Sequence, residues 1–449
     1  MSKRMLYRPM RAWFYKNVPR AGILTLHSIR SMSQFHVEEH IVRTQHIRER
    51  YGAVEPGMEH ALRLSVKQYT PKDNMSPRPG DVTIIGAHAT GFPKEIYEPL
   101  WIDLYYKMKQ SGRRIRGIWI ADVAHHGQSG ILNERILGND PSWWDHARDL
   151  LFLINKYQDQ MPSPLIGIGH SMGGMQLAHL SLIHPSLFQA LILIDPVIQR
   201  WNPGKNFALL STYRRDIWPS RSQAAMKFMS SPFFQRWDPR VLERWIEYGL
   251  RELPTEIYPE PVQTDEKPVT LTTTKAQEVF TFLRPAYRDD KRLGEDCTPK
   301  TEMYPEDIED DPFYRPEAPR LFRRLPELRP SVMYLFGQNS ELSTPEDRQL
   351  KMDLTGTGPG GSGGAINGRV QQTALPCGHL IPMEMVTESA KVCTSFIDQE
   401  LCRWEMQMKR NQQQWEKYSR HDRLTIDERW KENIGQPAGR STRARDPKT

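Results

Sequence analysis

Three residue types, suitably brought together, could cleave an acyl bond in this 449-residue chain: a serine among glycines, a histidine and a carboxylate. The serine is Ser171, in Gly169-His170-Ser171-Met172-Gly173-Gly174. A serine hydroxyl is a poor nucleophile at neutral pH and needs a base to take its proton. Glycines on both sides leave room for a tight strand-to-helix turn. Such a turn exposes Oγ and sets backbone N–H groups and a helix N-terminus beside it. The motif alone is weak, because short glycine-serine matches recur by chance. Its context strengthens it: the apolar run 164–168 precedes it, and a helical pattern over 172–183 follows.

Where a serine is presented in this way, the acid and then the histidine follow it along the chain. His379, in Cys377-Gly378-His379-Leu380, is the candidate base. His179 and His184 fall on the helix after Ser171, and His421 falls in a polar tail. The acid has two candidates. Glu341 stands just past the late strand 331–336 and is the first choice, although Asn339 and Ser340 precede it where an Asp is usual. Asp195, in Ile194-Asp195-Pro196, ends the preceding strand and is the second. Either carboxylate could orient His379 and stabilise its protonated form. The oxyanion that develops on the substrate needs two N–H donors. Met172 supplies one, and Thr90, in His88-Ala89-Thr90-Gly91-Phe92, supplies the other, with Phe92 the alternative. His125 and His126, in the turn 122–130, lack further ligands at metal spacing and read as braces of a loop.

The elements that must hold these residues are legible as alternating apolar and amphipathic runs. Strand patterns occupy 61–69, 81–87, 115–121, 164–168, 190–194, 331–336 and, weakly, 370–375. Helical patterns at 95–110, 143–158, 172–183 and 384–402 separate them. Alternation of this kind predicts a mostly parallel sheet with helices on both faces. The interval between 194 and 331 is far too long for a connecting loop. It carries helical stretches at 222–229, 238–250 and 274–282, so an inserted helical cap is expected. Trp201, Trp218, Phe228, Phe233, Phe234 and Trp237 lie in that insertion. They are expected mainly as cap core, with the remainder walling an apolar pocket. The Gly-rich run 356–369 lacks the Lys-Ser/Thr of a phosphate loop and reads as a flexible connection.

The net charge is +7, but the basic residues gather at the two ends and form no stripe, which argues against nucleic acid. No run is apolar enough for a transmembrane helix. The four cysteines (Cys297, Cys377, Cys393, Cys402) make no C-x-x-C pair and read as free thiols. Residues 1–37 hold no Asp or Glu and carry seven Arg and Lys, the composition of a mitochondrial presequence.

From about 60 to 400 the chain resembles the α/β-hydrolase superfamily. Within it the chain is most similar to a fungal branch of peroxisomal lipase-like proteins and toxin-biosynthesis hydrolases. The resemblance is carried by HVEEHIVRTQHIRE, HATGFPKEIYEPLW, GHSMGGMQLAHL, RRDIWPSRSQA, TGTGPGGSGG and CGHLIPME. It implies an α/β-hydrolase fold with a large inserted cap, a small-molecule or lipid-like ester substrate, no cofactor, and often peroxisomal residence. The chain departs from the branch in its basic leader and in lacking a C-terminal import tripeptide. The expected division is a leader over 1–37, core over 38–200 and 326–400, cap over 201–325, and a polar helix and charged tail over 401–449. The expected activity is a serine esterase working through an acyl-enzyme. Acyl transfer or C–C hydrolysis on the same residues, and a non-catalytic scaffold on this fold, are the rival readings. Oligomeric state is left open.

Overall fold

A computed structural model describes residues 32–260, 267–285 and 313–435. Most of the leader, residues 286–312 with Cys297, and the end of the tail lie outside the described residues.

Eight strands form the central sheet: β1 Phe35–Arg43, β2 Arg63–Pro71, β3 Val82–Ala87, β4 Ile115–Ala121, β5 Leu165–His170, β6 Ala190–Ile194, β7 Ser331–Gly337 and β8 Val370–Leu375. Their spatial order is β1-β2-β4-β3-β5-β6-β7-β8. The first three in that order pair antiparallel, and all later neighbours pair parallel. β1 was not expected. Its sequence, FHVEEHIVR, has no steady alternation, because it is an edge strand with most residues partly exposed. It starts inside the segment read as leader, so the sheet begins at Phe35 rather than with the first expected strand at 61–69.

The central strands β3, β5, β6 and β7 are largely apolar because alternate residues serve opposite faces and both faces are covered. On one face Ile84, Ile166, Ile168, Ile192, Ile194 and Leu335 pack under the helices α1 Glu98–Gln110 and Val386–Glu416. On the other, Ile85, Leu165, Leu191, Leu193, Val332 and Phe336 pack against α2 Trp143–Lys156 and α3 Met172–Ile183. Every residue of β3, β5, β6 and β7 is buried. Each fully buried leucine or isoleucine contributes roughly 1.5–3 kcal/mol, so the strand ends that carry the candidate residues stand on a rigid base.

Between β6 and β7 run α4 Gly204–Tyr213, α5 Arg221–Met229, α6 Pro239–Tyr248, α7 Lys275–Phe282 and α8 Glu317–Arg323, with short strands among them. α5, α6 and α7 match the three expected helices, and α4 adds a fourth. α8 rejoins the core: its Ala318, Leu321 and Phe322 pack in the same cluster as Met175 of α3. α9 Pro345–Leu354 follows β7, and α10 Val386–Glu416 closes the described core. α10 is longer than the expected 384–402. It is one continuous helix of 31 residues, buried as far as Leu401 and exposed from Glu405 onward. The Gly-rich run is not slack. Gly356, Gly358 and Ser362 donate backbone N–H bonds to the carbonyls of Leu325, Pro326 and Leu328, pinning the loop on the segment before β7. Among the described helices none is long and apolar enough to cross a membrane.

Candidate active site

β5 ends at His170, α3 begins at Met172, and Ser171 joins them with φ 56° and ψ −117°. That conformation is strained for a side chain with a Cβ, and the surroundings enforce it. The Ser171 N–H donates to Ile194 O at 2.9 Å, and Ser171 O accepts from Val197 N at 3.2 Å, which pins the turn to the end of β6. Glycine is needed on both sides. A Cβ on Gly169 would lie 2.5 Å from Gly173 O, and one on Gly173 would lie 2.3 Å from Ala87 O.

His379 arrives on the loop after β8. Its Nε2 lies 2.9 Å from Ser171 Oγ, and its Nδ1 lies 2.7 Å from Asp195 Oδ2. Asp195 ends β6 with φ 39°, and its N–H donates to Leu335 O of β7 at 2.8 Å. The same carboxylate oxygen accepts from the Ser340 hydroxyl. Burial pushes the Asp195 carboxyl up. The hydrogen bond and charge of His379, with the Ser340 and Ser343 hydroxyls, outweigh that and hold it below the ordinary range.

Glu341, the first choice from sequence, is exposed at the cavity rim. Among the described residues the His379 ring bonds to Ser171 and Asp195, and Glu341 is left out. The local backbone explains this. Gly337 closes on Gly378, where a Cβ would meet Gly378 O at 2.1 Å, and Ser340 N donates back to Gly337 O. The turn points Ser340 inward and Glu341 out. The loop after β7 instead supplies a hydroxyl donor to Asp195.

The loop after β3 lies against the first turn of α3. Thr90 Oγ1 is 3.4 Å from Met172 Sδ, so the two expected oxyanion donors belong to neighbouring residues in space. Met172 opens the helix, where a backbone N–H has no partner within the helix. The loop is braced by groups that the sequence reading did not single out. Ala89 N donates to Tyr97 Oη at 2.9 Å, Tyr97 Oη donates to His170 Nδ1 at 2.9 Å, and His170 Nε2 donates to His379 O at 3.0 Å. This chain of bonds ties the loop after β3 to the loop that carries His379. Burial pushes the His170 imidazole down to about 3, so it is neutral and has one proton to place. Its position immediately before Ser171 was the available signal. His88 is a brace: its Nδ1 donates to Ala89 O and its Nε2 accepts from Val123 N.

A cavity of about 780 Å³ opens over Ser171 and His379. Trp218, Phe228, Phe233, Phe234 and Trp245 form much of its wall. Of the six insertion aromatics, four line the cavity, more than expected. Trp237 packs behind them and Trp201 is exposed. Phe228 meets Trp218 edge-on and Phe234 at a tilt, and Phe234 stacks on Trp245, which gives a rigid apolar surface.

His125 and His126 are buried. His125 Nε2 lies 2.9 Å from Thr281 Oγ1. Burial pushes His125 to about 3 and His126 and His146 well below their ordinary value. No group of three or more His, Cys, Asp or Glu able to hold a metal occurs among the described residues.

A family model described as the alpha/beta hydrolase fold matches residues 90–343, more than half of the chain. The chain belongs to the α/β-hydrolase family. Among curated α/β-hydrolase relatives, a protein named type I acyl-CoA thioesterase mpaH' from Penicillium brevicompactum is 39% identical over 437 residues, covering 92% of this chain and 98% of the relative. One from Penicillium roqueforti, named acyl-CoA thioesterase mpaH, is 38% identical over 93% of this chain and all of its own length. An Alternaria alternata protein named for an abhydrolase domain, ACTT2-2, is 29% identical over 61% of this chain and 98% of its own. Among solved structures, the peroxisomal α/β-hydrolase Lpx1 of Saccharomyces cerevisiae superposes with a TM-score of 0.62 at 18% identity. That match covers 82% of this chain and 90% of Lpx1. The protein is therefore a hydrolase enzyme of the α/β-hydrolase fold.

Proposed function

We propose that the protein hydrolyses an acyl thioester, with carboxylic esters as poorer substrates, through a covalent acyl-enzyme on Ser171. One observation carries this reading: His379 bridges Ser171 Oγ at 2.9 Å and the buried Asp195 at 2.7 Å, at the floor of an aromatic cavity. The preference for a thioester comes from relatives named acyl-CoA thioesterases that match along nearly their full length.

His379 Nε2 takes the Ser171 proton as Oγ attacks the carbonyl carbon. Asp195 holds the ring in the Nδ1–H tautomer and stabilises the imidazolium as it forms. The Met172 and Thr90 N–H groups receive the oxyanion, stabilising charge that exists only in the transition state and intermediate. His379 returns the proton to the departing thiol. Water, deprotonated by the same nitrogen, then releases the acid. The described residues between 201 and α8 act as a cap whose aromatic wall holds the acyl chain, above a core that starts at Phe35.

The test is labelling with a fluorophosphonate, together with thiol release from a panel of acyl-CoAs and acyl p-nitrophenyl esters. Wild type should label once. Ser171→Ala should not label and should lose about 10⁴–10⁶-fold in kcat. An unlabelled wild type, or a Ser171→Ala protein that behaves like it, sinks the reading.

A further inference from the structure

We propose that Glu278, on α7, is a positioning residue for the oxyanion loop and couples the cap to the catalytic step. The inference rests on the reading above, in which Thr90 and Met172 hold the oxyanion. Glu278 is a buried carboxyl in the wall of the cavity, and the acyl-enzyme chemistry gives it no task.

Its geometry gives it one. Gly91, directly after Thr90, has φ +83° and turns its bare Cα toward the Glu278 carboxyl. A Cβ there would stand 2.9 Å from Cδ and 3.1 Å from each oxygen. A glutamate tip could usually swing away, but this one is held. Oε1 accepts from Ser211 Oγ at 2.8 Å, and Oε2 accepts from the Arg214 guanidinium. Ser211 lies on α4 and Arg214 is its C-cap, so α4 fixes the carboxyl from above while the loop meets it from below. On the other side of Gly91, Phe92 packs edge-on against Trp237 and Trp245 at 5.8 and 5.7 Å between ring centres. The residue after the proposed donor and the one beyond it are thus both held by the insertion. The lower side of the loop is held by Tyr97 and by Met172. Burial raises the Glu278 carboxyl, with Arg214 and Ser211 opposing, as expected for a carboxyl kept from water for a structural purpose. Both oxygens already have partners within the protein, which disfavours a role in gripping the acyl chain.

The experiment compares full-length wild type, Glu278→Ala, Glu278→Gln and Ser211→Ala on p-nitrophenyl acetate and p-nitrophenyl decanoate, with a thermal midpoint for each. Losing one oxyanion donor costs about 10²–10³ in kcat, so loosening its loop in Glu278→Ala should cost about 10- to 100-fold. The loss should be equal for both esters, with KM unchanged. Glu278→Gln keeps the shape and the Ser211 bond and should recover most of kcat. If Glu278→Ala does not fold, Ser211→Ala must still lower kcat for both esters. Unchanged kcat overturns the proposal. So does a loss confined to decanoate or to KM, since that would make Glu278 an acyl-recognition residue. A wild type that takes no fluorophosphonate sinks the hydrolytic reading and this inference with it. A labelled wild type with an indifferent Glu278→Ala sinks this inference alone.

Discussion

Lowering the pH from 7.5 to 5 should unfold this protein, and buried imidazoles set the size of the effect. His125, His170 and His179 are pushed to about 3 by burial, and His88, His126 and His146 are pushed the same way. In the unfolded chain each returns to about 6.5. Between 6.5 and about 3 the unfolded chain binds protons that the native protein refuses. Stability is therefore complete above pH 6.5 and is lost as the pH falls through that window. Each imidazole costs about 1.4 kcal/mol per pH unit, so the three at about 3 alone cost about 4 kcal/mol per unit and about 6 kcal/mol by pH 5. That is comparable to the roughly 5–15 kcal/mol by which folded domains are stable. The carboxyls of Glu98, Asp145 and Glu278, raised by burial, act in the opposite sense and offset part of the loss. Urea unfolding followed by tryptophan fluorescence at stepped pH gives the slope directly. It should correspond to at least two protons taken up on unfolding. Among the described residues neither ring nitrogen of His126 has a hydrogen-bond partner, so His126→Phe should reduce the slope by about one proton. Stability that stays flat from pH 7.5 to 5 would refute the claim that these rings are buried and neutral.

Two further outcomes test the site. Asp195→Asn should lower kcat about 10⁴-fold while Glu341→Gln stays within about threefold. Equal mild losses on a p-nitrophenyl ester would mean that neither is the acid. Gly173→Ala should cost at least about 1–3 kcal/mol, because its methyl would meet the backbone oxygens of Ala87 and His88 at 2.3 and 2.7 Å. A shifted urea midpoint together with lost fluorophosphonate labelling is expected, and an unchanged midpoint would contradict the packing described.

The sheet was largely legible because β3, β5, β6 and β7 are buried on both faces and so read as unbroken apolar runs. β1 was not, because an edge strand with one partner has little burial to imprint on its sequence. Ser171 and His379 were legible because glycine crowding and chain order mark them locally. The choice between Asp195 and Glu341 was not a local matter. It depends on which way the backbone turns after Gly337, and that is set by contact with Gly378, some forty residues on. Tyr97, Ser340 and Glu278 were invisible for a related reason. Each acts through a bond to a distant segment, which the sequence around it does not mark.

The backbone bonds that pin Ser171 between Ile194 O and Val197 N bear on the order in which the molecule assembles. The turn at Ser171 and the candidate acid Asp195 belong to one β-α-β unit, in which β5, α3 and β6 are consecutive and close in sequence. Such short-range pairing forms early, because little loop-closure entropy opposes it. His379 comes 184 residues after Asp195 and 208 after Ser171. It can dock only once β7 has paired with β6 and β8 with β7. In the proposed site, serine and carboxylate thus come from one local unit, while the proposed base depends on long-range strand pairing.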